Sequence, residues 1–265
     1  KNPKIIHANK IKEYEDNYIN FSFPIPIVEK NGIIKGVLSE KNNFEKSLSN
    51  SIILMAGGFG KRLKPLTNST PKPMLKIGEN PIIEIIINSF IKNGFNNFLI
   101  TTHYKSHLIK KYFGDGKKKK IKINYLDEKK PLGTAGFLKT IKTKRLSYPI
   151  IIMNSDILTK VNFKNLLKFH NDNKSDLTIC TKKYTLNIPY GVIKNNKKKV
   201  INILEKPDFK FDINAGIYVL SKNILEDLDR SRYLDFDTLI KTVLKKNKRV
   251  ISYPLYEYWM DIGKI

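Results

Sequence analysis

Apolar runs alternate with amphipathic stretches from Ser51 to the end of the chain, and this alternation predicts a βα repeat. Residues 52–55 are a continuous apolar run, typical of a strand that is buried on both faces. Residues 81–92 carry isoleucines at helical spacing and predict a helix that ends at Asn93-Gly94. A strand over 98–101, a helix over 107–113 and a strand over 121–126 follow. The pattern predicts an α/β fold with a mostly parallel sheet, in which ligands bind beyond the carboxyl ends of the strands.

The first 46 residues do not continue this pattern. Residues 25–28 and 33–38 are apolar and flank a Lys-Asn-Gly turn at 30–32, which predicts a strand-turn-strand hairpin. We therefore expect a small segment at 1–46, a linker at 47–50 and one large domain over 51–265. The chain begins with Lys1 and lacks a signal-peptide pattern, so we expect a piece of a longer cytoplasmic protein.

The net charge of +25 at first favours a polyanion partner. Only five of the 49 basic residues are arginine, however, and the lysines are spread along the chain among many asparagines and isoleucines. We interpret the charge as a compositional background and expect no nucleic-acid partner. No apolar run approaches membrane-spanning length, so we expect no membrane partner either. The single cysteine, Cys180, excludes an internal disulfide and a cysteine-based zinc site, and its strand-like context predicts a small buried side chain.

A glycine cluster, Ala-Gly-Gly-Phe-Gly at 56–60, directly follows the 52–55 strand. Glycines let backbone N–H groups approach phosphate oxygens closely, and Arg62 and Lys72 add mobile positive charge. The spacing matches neither a P-loop nor a Rossmann fingerprint. Taken alone, the cluster is as typical of a tight turn as of a nucleotide-binding loop.

Two aspartates follow apolar segments: Asp156 after 150–153, and Asp261 after Trp259-Met260. A carboxylate in such a context needs a compensating partner. Aspartate also favours helix caps and turns, so the residues alone leave both a structural and a metal-binding interpretation open.

The string at 56–75 resembles the signature of the sugar-1-phosphate nucleotidyltransferases, Gly-Gly-x-Gly-x-Arg-Leu-x-Pro-Leu-Thr followed by Pro-Lys-Pro-Met-Leu. Further segments resemble the family in the same order, at 132–136, 154–156, 189–193, 205–207, 214–218 and 258–263. The resemblance covers 51–265 and implies a Rossmann-like, GT-A-like domain. One departure is Lys61, where the family commonly has a small residue.

The resemblance implies Mg²⁺-dependent attack of a sugar-1-phosphate on the α-phosphorus of a nucleoside triphosphate. Arg62 would hold the β- and γ-phosphates, Lys72 would reach the α-phosphate, and Lys206 would hold the sugar phosphate. Asp156 and Asp261 would hold Mg²⁺, a hard cation that takes few carboxylates and completes its shell with water and phosphate. The implied nucleotide-binding residues are Ala56, Gly57, Gly58, Gly60, Glu128, Gly133 and Thr134, and those for the sugar phosphate are Tyr190, Gly191, Glu205, Lys206, Asn214 and Gly216.

Leu-Gly-Thr-Ala-Gly at 132–136 resembles the guanylyltransferases more than the thymidylyl branch, so GTP is the favoured substrate, with UTP, CTP and dTTP left open. The 25–38 hairpin resembles the closing hairpin of a CBS module, and CBS-linked relatives activate amino sugars for surface-glycan or nonulosonate synthesis. This implies that an adenine nucleotide would bind at a complete CBS pair, and that the protein would form a homo-oligomer.

Two alternatives remain. A non-catalytic nucleotide-sensing homologue would lack one or more of the charged residues, whereas Arg62, Lys72, Asp156, Lys206 and Asp261 are all present. A basic polynucleotide-binding protein would bind DNA or RNA with a steep salt dependence.

Overall fold

A computed structural model describes residues 6–7, 25–29, 31–38, 48–128, 130, 132–228 and 233–264. The chain divides into two compact units, Lys1–Ser47 and Leu48–Ile265.

The first unit contains a three-stranded sheet of β1 (Ile6–His7), β2 (Ile25–Val28) and β3 (Ile34–Leu38). β2 and β3 are antiparallel, and Gly32 lies between them with a φ of 81°. The predicted hairpin is therefore confirmed, although Lys30 of its turn lies outside the described residues. β1 adds a short parallel pairing to β2.

The second unit alternates strands and helices, as the sequence pattern predicts. Its longer elements and the short strands between them are β4 (Leu48–Ala56), β5 (Lys76–Ile77), β6 (Asn80–Pro81), α1 (Ile82–Lys92), β7 (Phe95–Thr102), α2 (Ser106–Phe113), β8 (Lys122–Asp127), β9 (Ile150–Asn154), β10 (Ile157–Thr159), α3 (Phe163–Asp172), β11 (Leu177–Asn187), β12 (Val192–Asn196), β13 (Lys199–Leu204), β14 (Asp208–Leu220), α4 (Lys222–Glu226), α5 (Phe236–Lys245), β15 (Val250–Pro254) and β16 (Trp259–Asp261). Within the described residues, no helix is long and apolar enough to cross a membrane.

Seven of these strands form one mixed sheet in the order β15-β11-β14-β9-β4-β7-β8. Neighbours are parallel except at β14, which is antiparallel to both β11 and β9. The mostly parallel sheet is therefore confirmed. The predicted linker at 47–50 is wrong for 48–50, because these residues are the first part of β4 and Leu48 pairs with Phe95.

The core lies on both faces of this sheet. Ile52 and Leu54 point to a cluster that α1 and α3 cover, where the rings of Phe90 and Phe163 stack 3.7 Å apart. Ile53 points to the opposite cluster, which includes side chains from α4 and α5. A strand covered on both faces must be apolar at every position, which explains the continuous run at 52–55. As predicted, Cys180 is buried, and its burial raises the pKa of the thiol.

This core fixes the location of the candidate site. β4 and β9 are parallel neighbours, with Met55 opposite Asn154. The glycine cluster after β4 and the Asp156 turn after β9 therefore emerge side by side at one edge of the sheet.

Candidate active site

Two adjoining clefts open at the carboxyl edge of the sheet in the described part of the chain. The first has a volume of about 490 Å³ and the second about 320 Å³. Gly58, Phe59, Thr134 and Asp156 line both clefts. The first cleft also contains Gly60, Arg62, Lys72, Asp261 and Gly263, and the second also contains Gly57, His103, Glu128, Gly133, Asn154 and Tyr233.

Gly60 fixes the shape of the glycine loop. Its φ is 62°, in the left-handed region that residues other than glycine rarely adopt. A Cβ at this position would lie 2.8 Å from Thr67 Cγ2 and 3.2 Å from Lys72 Cβ. The Thr67 hydroxyl donates a hydrogen bond of 2.9 Å to the Gly60 carbonyl. The loop therefore packs directly against the segment that carries Lys72.

Asp156 and Asp261 are distant in sequence but are brought together by strand pairing. The Ser155 hydroxyl donates to the Met55 carbonyl at 2.6 Å, which fixes the turn after β9 to the end of β4. β10 pairs with β16 so that Ile157 lies opposite Asp261. The Ile262 N–H also donates to the Asp156 carbonyl at 3.0 Å.

Lys72 forms an ion pair with Asp156, and the two side chains are only 13% and 28% exposed. A Cβ built on Gly263 would lie 2.5 Å from Lys72 Nζ, 2.9 Å from Asp261 Oδ1 and 3.7 Å from Asp156 Oδ2. One ammonium and two carboxylates thus face a single small space, which stays open because residue 263 has no side chain.

This donor set fits Mg²⁺. In the described residues no group of three or more His, Cys, Asp or Glu side chains could hold a metal ion on its own. Mg²⁺ does not need such a group, because it commonly takes one or two carboxylates and completes its octahedron with water and substrate phosphates. Asp156 and Asp261 supply two carboxylates in a cleft with room for phosphates.

The second cleft has a carboxylate on its wall. Glu128 Oε1 is 3.3 Å from the position a Cβ would take on Gly57, so this glycine leaves room for the acidic side chain. Burial raises the pKa of the Glu128 carboxyl, and a hydrogen bond from the Leu132 backbone opposes this rise. His103 Nδ1 lies 2.6 Å from the Glu128 carbonyl oxygen, and its ring packs edge-on against Phe59 at 5.3 Å.

The 132–136 loop lies beside Glu128, whose carboxyl accepts a hydrogen bond from the Leu132 backbone, and packs against residues 234–236. Gly133 has a φ of 93°, and a Cβ there would collide with the Leu234 carbonyl. The Leu234 N–H donates to the Leu132 carbonyl, and the Ala135 N–H donates to the Leu234 carbonyl, both at 2.9 Å. Glycine is therefore required at 133 by backbone conformation and by packing.

The structure assembles most of the predicted site but not all of it. The four residues predicted to be catalytic line the first cleft, and six of the seven predicted nucleotide-binding residues line one or both clefts. Ala56 is the exception, because it is the buried last residue of β4. None of the six predicted sugar-phosphate residues lines either cleft, namely Tyr190, Gly191, Glu205, Lys206, Asn214 and Gly216.

Four of those residues lie next to the β12–β13 hairpin, and Asn214 and Gly216 lie on β14. Tyr190 is 74% exposed, and a Cβ on Gly191 would lie 3.2 Å from Glu205 Oε2, so two of the predicted groups are neighbours. Gly216, with a φ of 69°, packs against Asn154, which lines the second cleft. The Asn214 side chain accepts from the Gly216 N–H at 3.0 Å.

Sequence reasoning missed several cleft residues. His103 matches no motif, yet it directly follows β7, and this place at a strand end is a usable signal. Asn154 has the same signal at the end of β9. Tyr233 and the neighbouring Asp235 carry no local signal, because their contacts are with residues about a hundred positions away.

Comparison with known proteins gives a consistent result. The profile of the family described as "Nucleotidyl transferase" matches residues 51–265. A mannose-1-phosphate guanyltransferase of Pichia angusta is 32% identical over 224 residues, which cover 80% of this chain and 60% of that protein. A D-glycero-alpha-D-manno-heptose 1-phosphate guanylyltransferase of Aneurinibacillus thermoaerophilus is 33% identical over 214 residues, covering 80% and 92%.

Solved structures share the fold. The crystal structure of HddC from Yersinia pseudotuberculosis superposes with a TM-score of 0.63 at 26% identity, covering 81% of this chain and 94% of that one. HddC has also been solved complexed with GMP-PN. The present chain spans about 60% of the length of the first curated relatives it matches.

Proposed function

We propose that this chain, which belongs to the nucleotidyl transferase family, transfers a guanylyl group from GTP to a sugar-1-phosphate, giving a GDP-sugar and pyrophosphate. The observation that carries the proposal is the composition of the first cleft, where Arg62 and Lys72 face Asp156 and Asp261. Two cations and a pair of carboxylates suited to Mg²⁺ are what the transfer needs, because both substrates are anions.

In the proposed reaction, an oxygen of the sugar phosphate attacks the α-phosphorus of GTP. The new O–P bond forms as the bond from the α-phosphorus to the bridging oxygen breaks, and pyrophosphate leaves with that electron pair. The protein supplies no nucleophile. Its contribution is to hold the two substrates in line and to stabilise charge in the transition state.

Each charged residue of the first cleft has a distinct part in this proposal. Arg62 is exposed at the mouth of the cleft and would bind the β- and γ-phosphates. Lys72, whose ammonium now contacts Asp156, would contact the α-phosphate oxygens. Asp156 and Asp261 would hold Mg²⁺, which would neutralise phosphate charge when bound.

Glu128 supports the choice of GTP. The Watson–Crick edge of guanine presents two adjacent donors, N1–H and the 2-amino group, which match the two oxygens of a carboxylate. Uracil and thymine present a single N–H between two carbonyl oxygens, which a carboxylate would repel. Several relatives named as guanylyltransferases point the same way.

The proposal for the sugar-1-phosphate is broader than that for the nucleotide and includes three kinds of sugar. The relatives' names specify mannose-1-phosphate and a heptose 1-phosphate, and the sequence resemblance adds an amino sugar such as glucosamine-1-phosphate. Lys206 would hold the sugar phosphate, with Glu205, Tyr190, Gly191, Asn214 and Gly216 around the sugar. Gly216 packs against Asn154 of the second cleft, which supports a sugar site beside the two clefts.

The first unit is proposed to be part of a CBS module, and its support is the β2–β3 hairpin with the parallel strand β1. An adenine nucleotide at a complete CBS pair, homo-oligomer formation and a cytoplasmic location are proposals of the same kind. The location follows from the pattern of the first residues and the other two from the sequence resemblance, and none of them follows from the cleft.

The test is pyrophosphate release with Mg²⁺ and each of GTP, UTP, CTP, dTTP and ATP, against mannose-1-phosphate, a heptose 1-phosphate and glucosamine-1-phosphate. We expect release with GTP and at least one sugar, and its loss in Asp156→Asn. Asp172→Asn is the matched control, because Asp172 forms only an exposed i,i+4 ion pair with Lys168. Nucleotide binding without release in any combination would favour a sensing homologue instead.

A further inference from the structure

Asp235 and Thr134 join two segments that are a hundred residues apart. The Thr134 N–H donates to Asp235 Oδ1 at 2.7 Å, and the Thr134 hydroxyl donates to the same oxygen at 3.1 Å. In return, the Phe236 N–H donates to the Thr134 hydroxyl at 3.0 Å. We call these three hydrogen bonds the 134–235 clamp.

The clamp supplies a hydrogen-bond acceptor for a backbone N–H at the start of α5, and this acceptor comes from outside the helix. α5 begins at Phe236, and the N–H groups of a first helical turn have no partner within the helix. Asp235 occupies the N-cap position, but its side chain makes no capping bond to its own helix. It bonds to Thr134 instead, and Thr134 supplies the acceptor for Phe236. The carboxylate is therefore directed towards the 132–136 loop.

The clamp controls one wall of the second cleft. Gly133, Thr134 and Glu128 line this cleft, and Tyr233, two residues before Asp235, lines it as well. Beyond the clamp, two backbone hydrogen bonds of 2.9 Å hold the 132–136 loop to Leu234. The 233–236 segment therefore fixes the position of the loop, and the Leu132 hydrogen bond ties the Glu128 carboxyl to that position.

We propose that Asp235 is a positioning residue for the guanine base, an inference that rests on the proposed use of GTP. By holding Thr134, it keeps the 132–136 loop, and with it the Glu128 carboxyl that the Leu132 backbone contacts, in the position where the 2-amino group of guanine reaches Glu128. Tyr233 lines the same cleft. Without the clamp the loop loses one of its anchors, and the guanine base is held less firmly against Glu128.

The sharpest readout is the preference for GTP over ITP, because inosine differs from guanosine only in lacking the 2-amino group. Asp235→Ala removes the acceptor and should lower this preference, whereas Asp235→Asn keeps an oxygen that can accept both bonds from Thr134. Thr134→Val is a second variant: it removes the two bonds made by the hydroxyl and keeps the shortest one, from the Thr134 N–H to Asp235. Asp237→Ala is the control, because it removes a second acidic residue from the first turn of α5.

The experiment measures GTP and ITP affinity by calorimetry, kcat and KM for each nucleotide, and the melting temperature of every variant. We expect Asp235→Ala to weaken GTP binding about tenfold, a size typical of losing hydrogen bonds, with ITP binding changed less and kcat nearly unchanged. Thr134→Val should give a smaller loss of the same kind. Asp235→Asn and Asp237→Ala should keep the wild-type preference.

An unchanged GTP-to-ITP ratio in both Asp235→Ala and Thr134→Val, in an active wild-type background, would overturn the inference and leave the proposed function intact. An equal loss for GTP and ITP would also overturn it, because that result indicates a merely structural role. A wild type that binds GTP in preference to ITP but releases no pyrophosphate with any sugar would contradict the proposed function alone.

Discussion

Replacing Gly263 by alanine tests the geometry of the first cleft with a single methyl group. Gly263 does not have a positive φ, so alanine fits the backbone. The added Cβ would lie 2.5 Å from Lys72 Nζ and 2.9 Å from Asp261 Oδ1, well inside van der Waals contact. The backbone is held by the Gly263 N–H bond to Asp261 Oδ1 at 2.7 Å, so the lysine tip must move furthest and the Asp261 carboxylate must also adjust.

The size of the effect follows from these distances. An ordinary contact needs about 3.5 Å or more, so the Lys72 ammonium must shift by about 1 Å and lose its place beside Asp156. A misplacement of about 1 Å in a catalytic group can cost about 100-fold in rate. The cost in stability should be about 1–3 kcal/mol, because the Lys72–Asp156 pair is mostly buried and a displaced ammonium leaves the Asp156 carboxylate without its partner.

The assay is a double-mutant cycle on kcat/KM for GTP, with Gly263→Ala, Lys72→Met and both together. Lys72→Met should lower the rate about 10²- to 10³-fold, as for the loss of one transition-state donor. If the alanine acts by displacing Lys72, the double variant should be little worse than Lys72→Met alone. Melting curves of all four proteins report whether folding contributes.

Two results would refute this reasoning. A Gly263→Ala enzyme with wild-type activity would show that the space between Lys72 and the two aspartates is not part of the reacting centre. Fully additive losses in the double variant would show that the methyl group acts independently of Lys72.

Three further predictions use the ionisable groups. Burial raises the pKa of the Glu128 carboxyl, so keeping this side chain ionised in the folded protein costs stability at any pH above the ordinary glutamate pKa. The Glu128→Gln variant should therefore have a higher melting temperature than the wild type at pH 7, and this difference should disappear in acid. The same variant should lose the preference for GTP in initial-rate assays. Burial raises the pKa of the Glu84 carboxyl, but hydrogen bonds from Lys119 and Tyr112 outweigh this effect and hold the pKa below its usual value. The bonds that Glu84 accepts from Lys119 and Tyr112 stabilise the folded protein above the ordinary glutamate pKa, and this stabilisation is lost as the pH falls through the lowered pKa of Glu84. Lys119→Met should therefore lower the free energy of unfolding in urea by about 1–3 kcal/mol at pH 7 and by less at low pH. Buried Cys180 should react with a thiol reagent only after unfolding, and rapid labelling of the native protein would contradict its burial.

Much of the fold and of the first cleft is predictable from local sequence. A continuous apolar strand followed by glycines, and a second one followed by Asp156, place both segments at one edge of a parallel sheet. The helix stop at Asn93-Gly94 was equally visible, and Gly94 has the expected positive φ of 83°. These features depend on short-range periodicity and on glycine conformation.

The errors came from long-range contacts. Residues 48–50 include Ser49 and Asn50, whose polarity indicates a linker, yet Leu48 extends β4 by pairing with Phe95. Pairing of this kind is decided by the partner strand and not by local composition. The 134–235 clamp was missed for the same reason.

The predicted sugar-phosphate residues show another limit of prediction from sequence. A motif can identify Glu205 and Lys206 as site residues without indicating where their segment lies. Glu205 and Lys206 lie between β13 and β14, and neither lines the two clefts.

The most direct test of the account is to trace the phosphates of GTP. Reactions with Mg²⁺ and the accepted sugar-1-phosphate should be run in parallel with GTP labelled at the α- or the γ-phosphate. The account predicts that the α-label appears in the GDP-sugar and the γ-label in pyrophosphate, and that Asp156→Asn loses both products. A γ-label found on the sugar phosphate or released as inorganic phosphate would contradict nucleotidyl transfer as the reaction of this site.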